Sequence, residues 1–146
     1  MSTSNSAPNT LNEAASYFRP LCEQLLQNCA KAGIPCRIID IIRTPVQQEQ
    51  KLLDGVSWTQ HSKHEPQPPE NLSEAIDIVP LAILNEHKPS WDPDSLLWVQ
   101  IGQIGKDLGL RWGGDFPPYT DAEGKVHSRR DPSHFEYIHK PLVMTA

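Results

Sequence analysis

The hydrophobic positions near the start of the chain have helical spacing. Residues 1–9 are small and polar, and we expect them to form a flexible N-terminal tail. Thr10 and Glu13 then have the spacing of a helix capping box, and Gly33 is a typical C-terminal stop. Pro20 indicates a kink or a restart within this helix. The apolar positions that recur at helical spacing are Leu21, Leu25, Cys29 and Ala32.

Extended patterns follow the first helix. Residues 35–42 are rich in isoleucine and bounded by glycine and prolines, which predicts a strand. Residues 44–55 begin with Thr-Pro and end in glycine, so we expect a short second helix there. The proline-rich, polar residues 56–72 predict a long loop. The next apolar run, AIDIVP at residues 75–80, predicts a strand in which Asp77 faces away from its isoleucine neighbours.

The second half of the chain again mixes helical and extended patterns. Residues 96–108 predict a third helix that Gly109 ends, and residues 110–115 leave this helix into a glycine turn. A polar loop is expected at residues 117–130, and residues 134–138 predict a last strand. Because no regular strand-helix-strand rhythm is present, we expect an α+β fold with a small, mostly antiparallel sheet flanked by helices.

Length and composition restrict the class of protein. The 146 residues suit a single domain, which we place at residues 10–146, and 38% hydrophobic with 21% charged residues is typical of a globular protein. A formal net charge of -5 without a cluster of Lys and Arg argues against nucleic acid as a partner. No segment has membrane-spanning length and the N-terminal residues lack a signal-peptide pattern, so we expect a monomer that is synthesised in the cytoplasm and does not insert into membranes.

Three possible ligands in favourable positions make a catalytic zinc ion a candidate cofactor. Such an ion takes three protein ligands from His, Asp, Glu or Cys and keeps one position for water. His64 precedes the strand that bears Asp77, and His134 begins the last strand shortly after Asp131. A strand edge holds a ligand well, and an ionised Asp77 among isoleucines is costly unless it is paired or bound to a cation. The histidines without such a setting are His87, His127 and His139.

Six short motifs follow one another in order within residues 15–140. They are Arg43-Thr44, Glu49-Gln50, Ser62-Lys63-His64, Ser73-Glu74-Ala75-Ile76-Asp77, Trp112-Gly113-Gly114 and Asp131-Pro132-Ser133-His134-Phe135-Glu136. In order and composition they resemble the zinc D-alanyl-D-alanine carboxypeptidases and phage endolysins of the VanY and L-alanyl-D-glutamate peptidase type. This resemblance implies a hedgehog/DD-peptidase-like fold and a zinc metallopeptidase.

The resemblance also implies a role for each site residue. His64, Asp77 and His134 would hold zinc, and Asp131 would act as general base. Arg43 would stabilise the developing oxyanion or hold a substrate carboxylate. Weaker candidates for binding substrate or supporting a metal ligand are Gln50, Ser62, Trp112 and Glu136.

As for substrate, the resemblance implies peptidoglycan stem peptides. We expect an L-alanyl-D-glutamate endopeptidase that acts as an endolysin and reaches the cell wall after another protein has permeabilised the membrane. One alternative is a D-alanyl-D-alanine carboxypeptidase, for which Arg129 and Arg130 are candidates to bind the free C-terminus. The other is a catalytically silent module that binds the wall or has a structural role.

One stretch departs from the family pattern Ser-x-His-x-x-Gly-x-Ala-x-Asp. His64 and Asp77 are separated by six more positions than in that pattern, and Ser73 replaces the glycine. A surface loop absorbs such an insertion at little entropic cost, because the closure penalty grows slowly with length. The insertion leaves His61 as an alternative to His64 for the first ligand.

Overall fold

The computed structural model describes residues 11–42, 63–84, 86 and 90–139. A 3-10 turn at Leu11–Glu13 precedes the first helix. The helices are α1 (Arg19–Lys31), α2 (Leu81–Leu84) and α3 (Leu96–Asp107), and the strands are β1 (Cys36–Asp40), β2 (Ala75–Pro80), β3 (Arg111–Trp112), β4 (Tyr119–Thr120), β5 (Val126–His127) and β6 (His134–Glu136).

Four of the strands form one antiparallel sheet in the order β1-β2-β6-β3. In its centre β2 pairs with β6 so that Ile76 lies opposite Phe135 and Asp77 lies opposite His134. A separate two-stranded ribbon joins β4 and β5. The small antiparallel sheet with its helices confirms the predicted α+β fold.

The two longer helices and the sheet share one hydrophobic core. Helix α1 buries one face, and helix α3 buries a face that includes two glycines. The sheet contributes isoleucines from β2 and Phe135 from β6. None of the described helices is long and apolar enough to cross a membrane. The buried members of this core from the helices and the sheet include Cys22, Leu25, Cys29, Ile76, Ile78, Trp98, Ile101 and Phe135.

The first helix starts later than the capping box predicts. After the 3-10 turn the backbone of Ala15 donates to Ser73 O at 2.9 Å, so these residues pair with the segment before β2 instead of continuing a helix. The Arg19 guanidinium donates hydrogen bonds to the carbonyl oxygens of Leu11 in this turn and of Ala14 just after it, at 3.0 Å each. The predicted restart at Pro20 is confirmed, because α1 begins one residue earlier.

Most of the remaining predicted elements are present with small changes. The strands at β1 and β2 and the helix α3 are confirmed, and the last strand ends at Glu136 rather than at residue 138. The expected glycine turn after α3 contains strand β3 and a 3-10 turn at Gly113–Asp115, and the expected loop at 117–130 contains the β4–β5 ribbon. Helix α2 was not predicted. The proposed tail at 1–9, the second helix at 44–55 and the loop up to residue 62 lie outside the described residues.

Close packing of α3 on the sheet gives a prediction for Gly105. A Cβ atom there would lie 2.3 Å from Cε2 of Phe135, whose side chain is fully buried. Gly105→Ala should therefore lower the free energy of unfolding by about 1–3 kcal/mol although alanine favours helices. Chemical denaturation measures this change. Gln103→Ala on the exposed face of α3 is the control, and its free energy of unfolding should change by no more than about 0.5 kcal/mol. Equal stability of the two variants would contradict the close packing of Gly105 against Phe135.

Candidate functional site

Three side chains from different parts of the chain converge at one end of the β2–β6 pair. One ligand atom from each of His64, Asp77 and His134 lies within 4.8 Å of the others. Oδ1 of Asp77 is 3.1 Å from Nε2 of His64 and 3.2 Å from Nδ1 of His134. The predicted ligand set is therefore brought together, and among the described residues no other group of His, Cys, Asp and Glu has this geometry.

Sheet register places two of these side chains and a turn places the third. Asp77 and His134 are directly opposite each other on antiparallel strands, where side chains of opposed residues lie on the same face. His64 lies in the turn region before β2, and its ring centroid is 5.1 Å from that of His134. Two of the three positions are thus determined by one strand pair.

Hydrogen bonds orient both imidazoles. Nδ1 of His64 donates to the carbonyl oxygen of Ile41 at 2.7 Å, so Nε2 is the nitrogen that faces Asp77. In His134 the roles are reversed, because Nε2 donates to Oε1 of Glu136 at 2.8 Å and Nδ1 faces Asp77. Partners of this kind set the tautomer and ring angle of metal-binding histidines in proteins.

Burial makes the charges in this cluster interact strongly. His64 and His134 are 2% and 7% exposed. Burial alone raises the pKa of the Asp77 carboxyl, but the two rings outweigh it and hold that pKa well below its usual range. Burial lowers the pKa of His134, but its hydrogen bonds to Asp77 and Glu136 outweigh this effect and raise it to about 10. The cluster therefore retains a positive charge between its acidic members.

The donor set is suited to a divalent metal ion. Two imidazole nitrogens and one carboxylate oxygen are ligands that zinc accepts, and three protein ligands leave a position for water. All three atoms can offer a lone pair once the proton on His134 is lost. When His134 has lost that proton, a cation is needed to balance the buried carboxylate of Asp77. The residues therefore fit a zinc ion chemically.

Asp131 lies beside this cluster, as the sequence motif predicts. Its backbone N–H donates to Gly113 O at 2.9 Å, and its Oδ1 accepts from the Ser133 hydroxyl at 3.1 Å. Burial and the negative charge of Asp77 raise the pKa of Asp131 above its usual value, against the opposing charge of His134. A carboxylate with a raised pKa is better suited to accept and return a proton near neutral pH.

Two of the weaker predicted residues contact the strand that carries His134 or the turn before it. Glu136 accepts from His134 and lies 3.7 Å from a guanidinium nitrogen of Arg111. Trp112 is buried, and its indole N–H donates to Pro132 O at 2.7 Å, so it holds the turn that leads into His134. Both contacts stabilise the position of His134. The remaining predicted residues Arg43, Gln50 and Ser62, with the alternative ligand His61, lie outside the described residues.

The loop arginines have partners of their own. Arg130 makes two hydrogen bonds to the carboxylate of Asp94, at 3.0 and 2.8 Å, and a third to Gly114 O at 2.7 Å. The guanidinium of Arg129 lies over the ring of Tyr119 at 4.6 Å. Neither contact involves the His64–Asp77–His134 cluster.

The sequence reasoning missed several residues around the cluster. The carbonyl of Ile41 orients His64, and the ring of Phe116 packs 5.4 Å from that of His134. Ser73 and Glu74 bond to the segment before His64. The position of Phe116, an aromatic residue directly after the glycine turn, was a sequence signal that could have placed it near the site. The role of Ile41 depends on its backbone carbonyl, which leaves no signal in the sequence.

Comparison with known proteins gives structural but no sequence matches. No protein-family model and no curated protein matches the chain. The L-Ala D-Glu endopeptidase ChiX of Serratia marcescens aligns with a TM-score of 0.60 and 18% identity, over 90% of this chain and 87% of that one.

Two further solved structures share the fold. The LD-carboxypeptidase LdcB, described in terms of peptidoglycan recognition, aligns with a TM-score of 0.52 and 14% identity, over 85% of this chain and 58% of that one. A mutant of the D,D-pentapeptidase VanY from a VanB-type resistance cassette, in complex with Zn(II), aligns with a TM-score of 0.50 and 15% identity. The alignment covers 86% of this chain and 73% of that one. These likenesses establish the fold: the chain has the small antiparallel sheet and flanking helices of DD-peptidase-like structures.

Proposed function

We propose that the protein is a zinc-dependent peptidase that hydrolyses peptidoglycan stem peptides. The observation that supports this most is the buried convergence of His64, Asp77 and His134 beside Asp131. The fold is shared with an L-Ala D-Glu endopeptidase, an LD-carboxypeptidase and a D,D-pentapeptidase. Zinc held by the three ligands would polarise the scissile carbonyl and lower the pKa of a bound water.

The residues around the three ligands have separate roles in proton transfer, ligand orientation and substrate binding. Asp131 accepts a proton from the attacking water and delivers it to the amine nitrogen as the C–N bond breaks, leaving a carboxylate and a free amine. Glu136 and the carbonyl of Ile41 keep the two imidazoles turned toward Asp77. Arg43, which lies outside the described residues, stabilises the oxyanion or binds a substrate carboxylate in this proposal.

Within this chemistry we favour cleavage between L-alanine and D-glutamate, by an endolysin that reaches the wall after the membrane has been permeabilised. The match to ChiX covers most of both chains, which supports the endopeptidase. A carboxypeptidase needs a cation for the free C-terminus of its substrate. Arg130, one candidate for that cation, is already engaged by the Asp94 carboxylate. This pairing weakens the case for the carboxypeptidase.

Zinc binding is the first testable outcome. The purified protein should bind about one zinc ion per chain, and His134→Ala should weaken zinc affinity by more than about 100-fold because a ligand is lost. Elemental analysis and competition with a chromophoric chelator measure these quantities. His127→Ala is the matched control, since His127 pairs with Asp121 on the β4–β5 ribbon, and its affinity should equal that of the parent. Activity of a metal-free protein that is indifferent to chelators would contradict the proposal.

Asp131 should be needed for hydrolysis but not for zinc binding. Asp131→Asn should lower kcat by about 10²- to 10⁴-fold, because the general base is lost, while zinc stoichiometry stays the same. Asp107→Asn on the exposed surface of α3 is the control and should leave both quantities unchanged. Parent-like hydrolysis by Asp131→Asn would remove this residue from the mechanism.

Defined muropeptides distinguish the possible reactions. An endopeptidase should release products cut between L-alanine and D-glutamate, which mass spectrometry identifies. Release of terminal D-alanine alone would show a carboxypeptidase. Absence of any hydrolysis by the zinc-loaded protein would favour a catalytically silent module that keeps the fold and the metal.

A further inference from the structure

The chain segment that carries His64 is attached to the residues that precede β2. The backbone N–H of Glu74 donates to Lys63 O at 3.0 Å, and Nζ of Lys63 is 3.1 Å from Oε1 of Glu74. The hydroxyl of Ser73 lies 3.3 Å from the same Lys63 carbonyl. Lys63 therefore has backbone and side-chain bonds to Ser73 and Glu74, and it is the residue immediately before His64.

The Ser73 hydroxyl also contacts the carbonyl that orients the His64 ring. Its Oγ is 2.8 Å from Ile41 O, and Nδ1 of His64 is 2.7 Å from that oxygen. Oγ lies 2.8 Å from Ala75 O as well and accepts from the Ala75 N–H at 3.1 Å. Three carbonyl oxygens thus surround one hydroxyl in a site where Ser73 is 0% exposed. Removing the hydroxyl would take away a buried donor shared among these oxygens and would leave Ile41 O with the His64 Nδ1–H and Lys63 O with the Glu74 N–H, which loosens the connection between the three segments.

Glu74 is held rigidly enough to act as an anchor. Its side chain is 1% exposed, and it accepts hydrogen bonds from Tyr17, Lys63 and His139. Its backbone carbonyl accepts from the Tyr137 N–H at 2.8 Å, just after strand β6. A buried carboxylate with several donors is costly to displace, because each lost bond leaves a buried charge less well compensated.

We propose that Ser73 and Glu74 are positioning residues that set the location and ring orientation of the ligand His64. This inference rests on the proposed zinc site. It explains how the long separation of His64 and Asp77 in sequence is compatible with ligand atoms 3.1 Å apart. Ser73 and Glu74 hold the chain at Lys63, directly before His64. The position of His64 therefore does not depend on the length of the segment at residues 65–72.

Zinc affinity of Ser73→Ala, Lys63→Met and the double variant tests this proposal. Ser73→Ala should weaken zinc binding about 10- to 100-fold, the range found when a residue that orients a ligand is removed. Lys63→Met removes one of the side-chain donors to Glu74 but keeps the backbone bond from the Glu74 N–H to Lys63 O, so it should weaken zinc binding only about two- to fivefold. The effects in the double variant should not multiply, because both changes loosen the same segment. Competition with a chromophoric chelator gives each dissociation constant, and Lys63→Arg should restore the parent value.

Leu25→Ala separates positioning from general destabilisation. Leu25 is a fully buried residue of α1, so this variant should lower the unfolding temperature without changing zinc affinity. Ring ¹⁵N shifts of His64 in the metal-free protein give a second readout: they should move in Ser73→Ala, because Ile41 O, which accepts from Nδ1 of His64, loses its contact with the Ser73 hydroxyl. They should stay at the parent values in Leu25→Ala. Zinc affinity of Ser73→Ala within twofold of the parent, with unchanged ring shifts, would overturn the positioning role. A parent protein that binds no zinc at all would instead reject the proposed function, and this inference with it.

Discussion

The structure depends on the burial of one carboxylate, Asp77, between two imidazoles. Removing an ionised carboxylate from water costs several kcal/mol unless opposite charges and hydrogen bonds offset the loss. His134 supplies both, and the pairing of β2 with β6 makes this contact possible, while Nε2 of His64 lies 3.1 Å from the same carboxylate oxygen. A slip of one residue in that pairing would turn His134 to the opposite face of the sheet. The charge of Asp77 is therefore compensated only when β2 and β6 pair in the correct register.

The packing around β6 protects this register. The ring of Phe135 fits against Gly105, where a side chain would leave no space, and Trp112 donates a hydrogen bond to Pro132 O in the turn before the strand. Gly113 is similarly crowded, because a Cβ atom there would lie 2.2 Å from Asp131 O. These contacts fix where β6 begins. The glycines of the Trp-Gly-Gly motif thus permit close packing beside the candidate metal ligands, as well as forming a turn.

Local sequence patterns were enough to predict one part of the candidate site. An acid within an apolar strand and a histidine at a strand start are visible in the sequence, and the sheet brings Asp77 and His134 together. What could not be predicted depends on contacts between distant segments. In the sequence Ser73 is visible only as a departure from the family glycine, and Glu74 shows no sign of its contacts with Lys63. The late start of α1 reflects a backbone bond from Ala15 to Ser73. The β4–β5 ribbon has only two residues in each strand, too few to show an alternating pattern.

The three candidate ligands also differ in how they are connected to the domain. Two belong to the central sheet, whereas His64 precedes a turn at residues 65–72 that is closed by its own hydrogen bond from the Gln67 N–H to Leu72 O at 2.9 Å. The returning half of this turn is joined to the domain before Ser73, because Glu70 accepts a hydrogen bond from the Ser16 N–H at 2.6 Å and Leu72 packs against the core. In engineering terms the exposed tip at residues 68–69 is a grafting position, because Glu70 and Leu72 would keep the returning end of an inserted peptide attached to the framework.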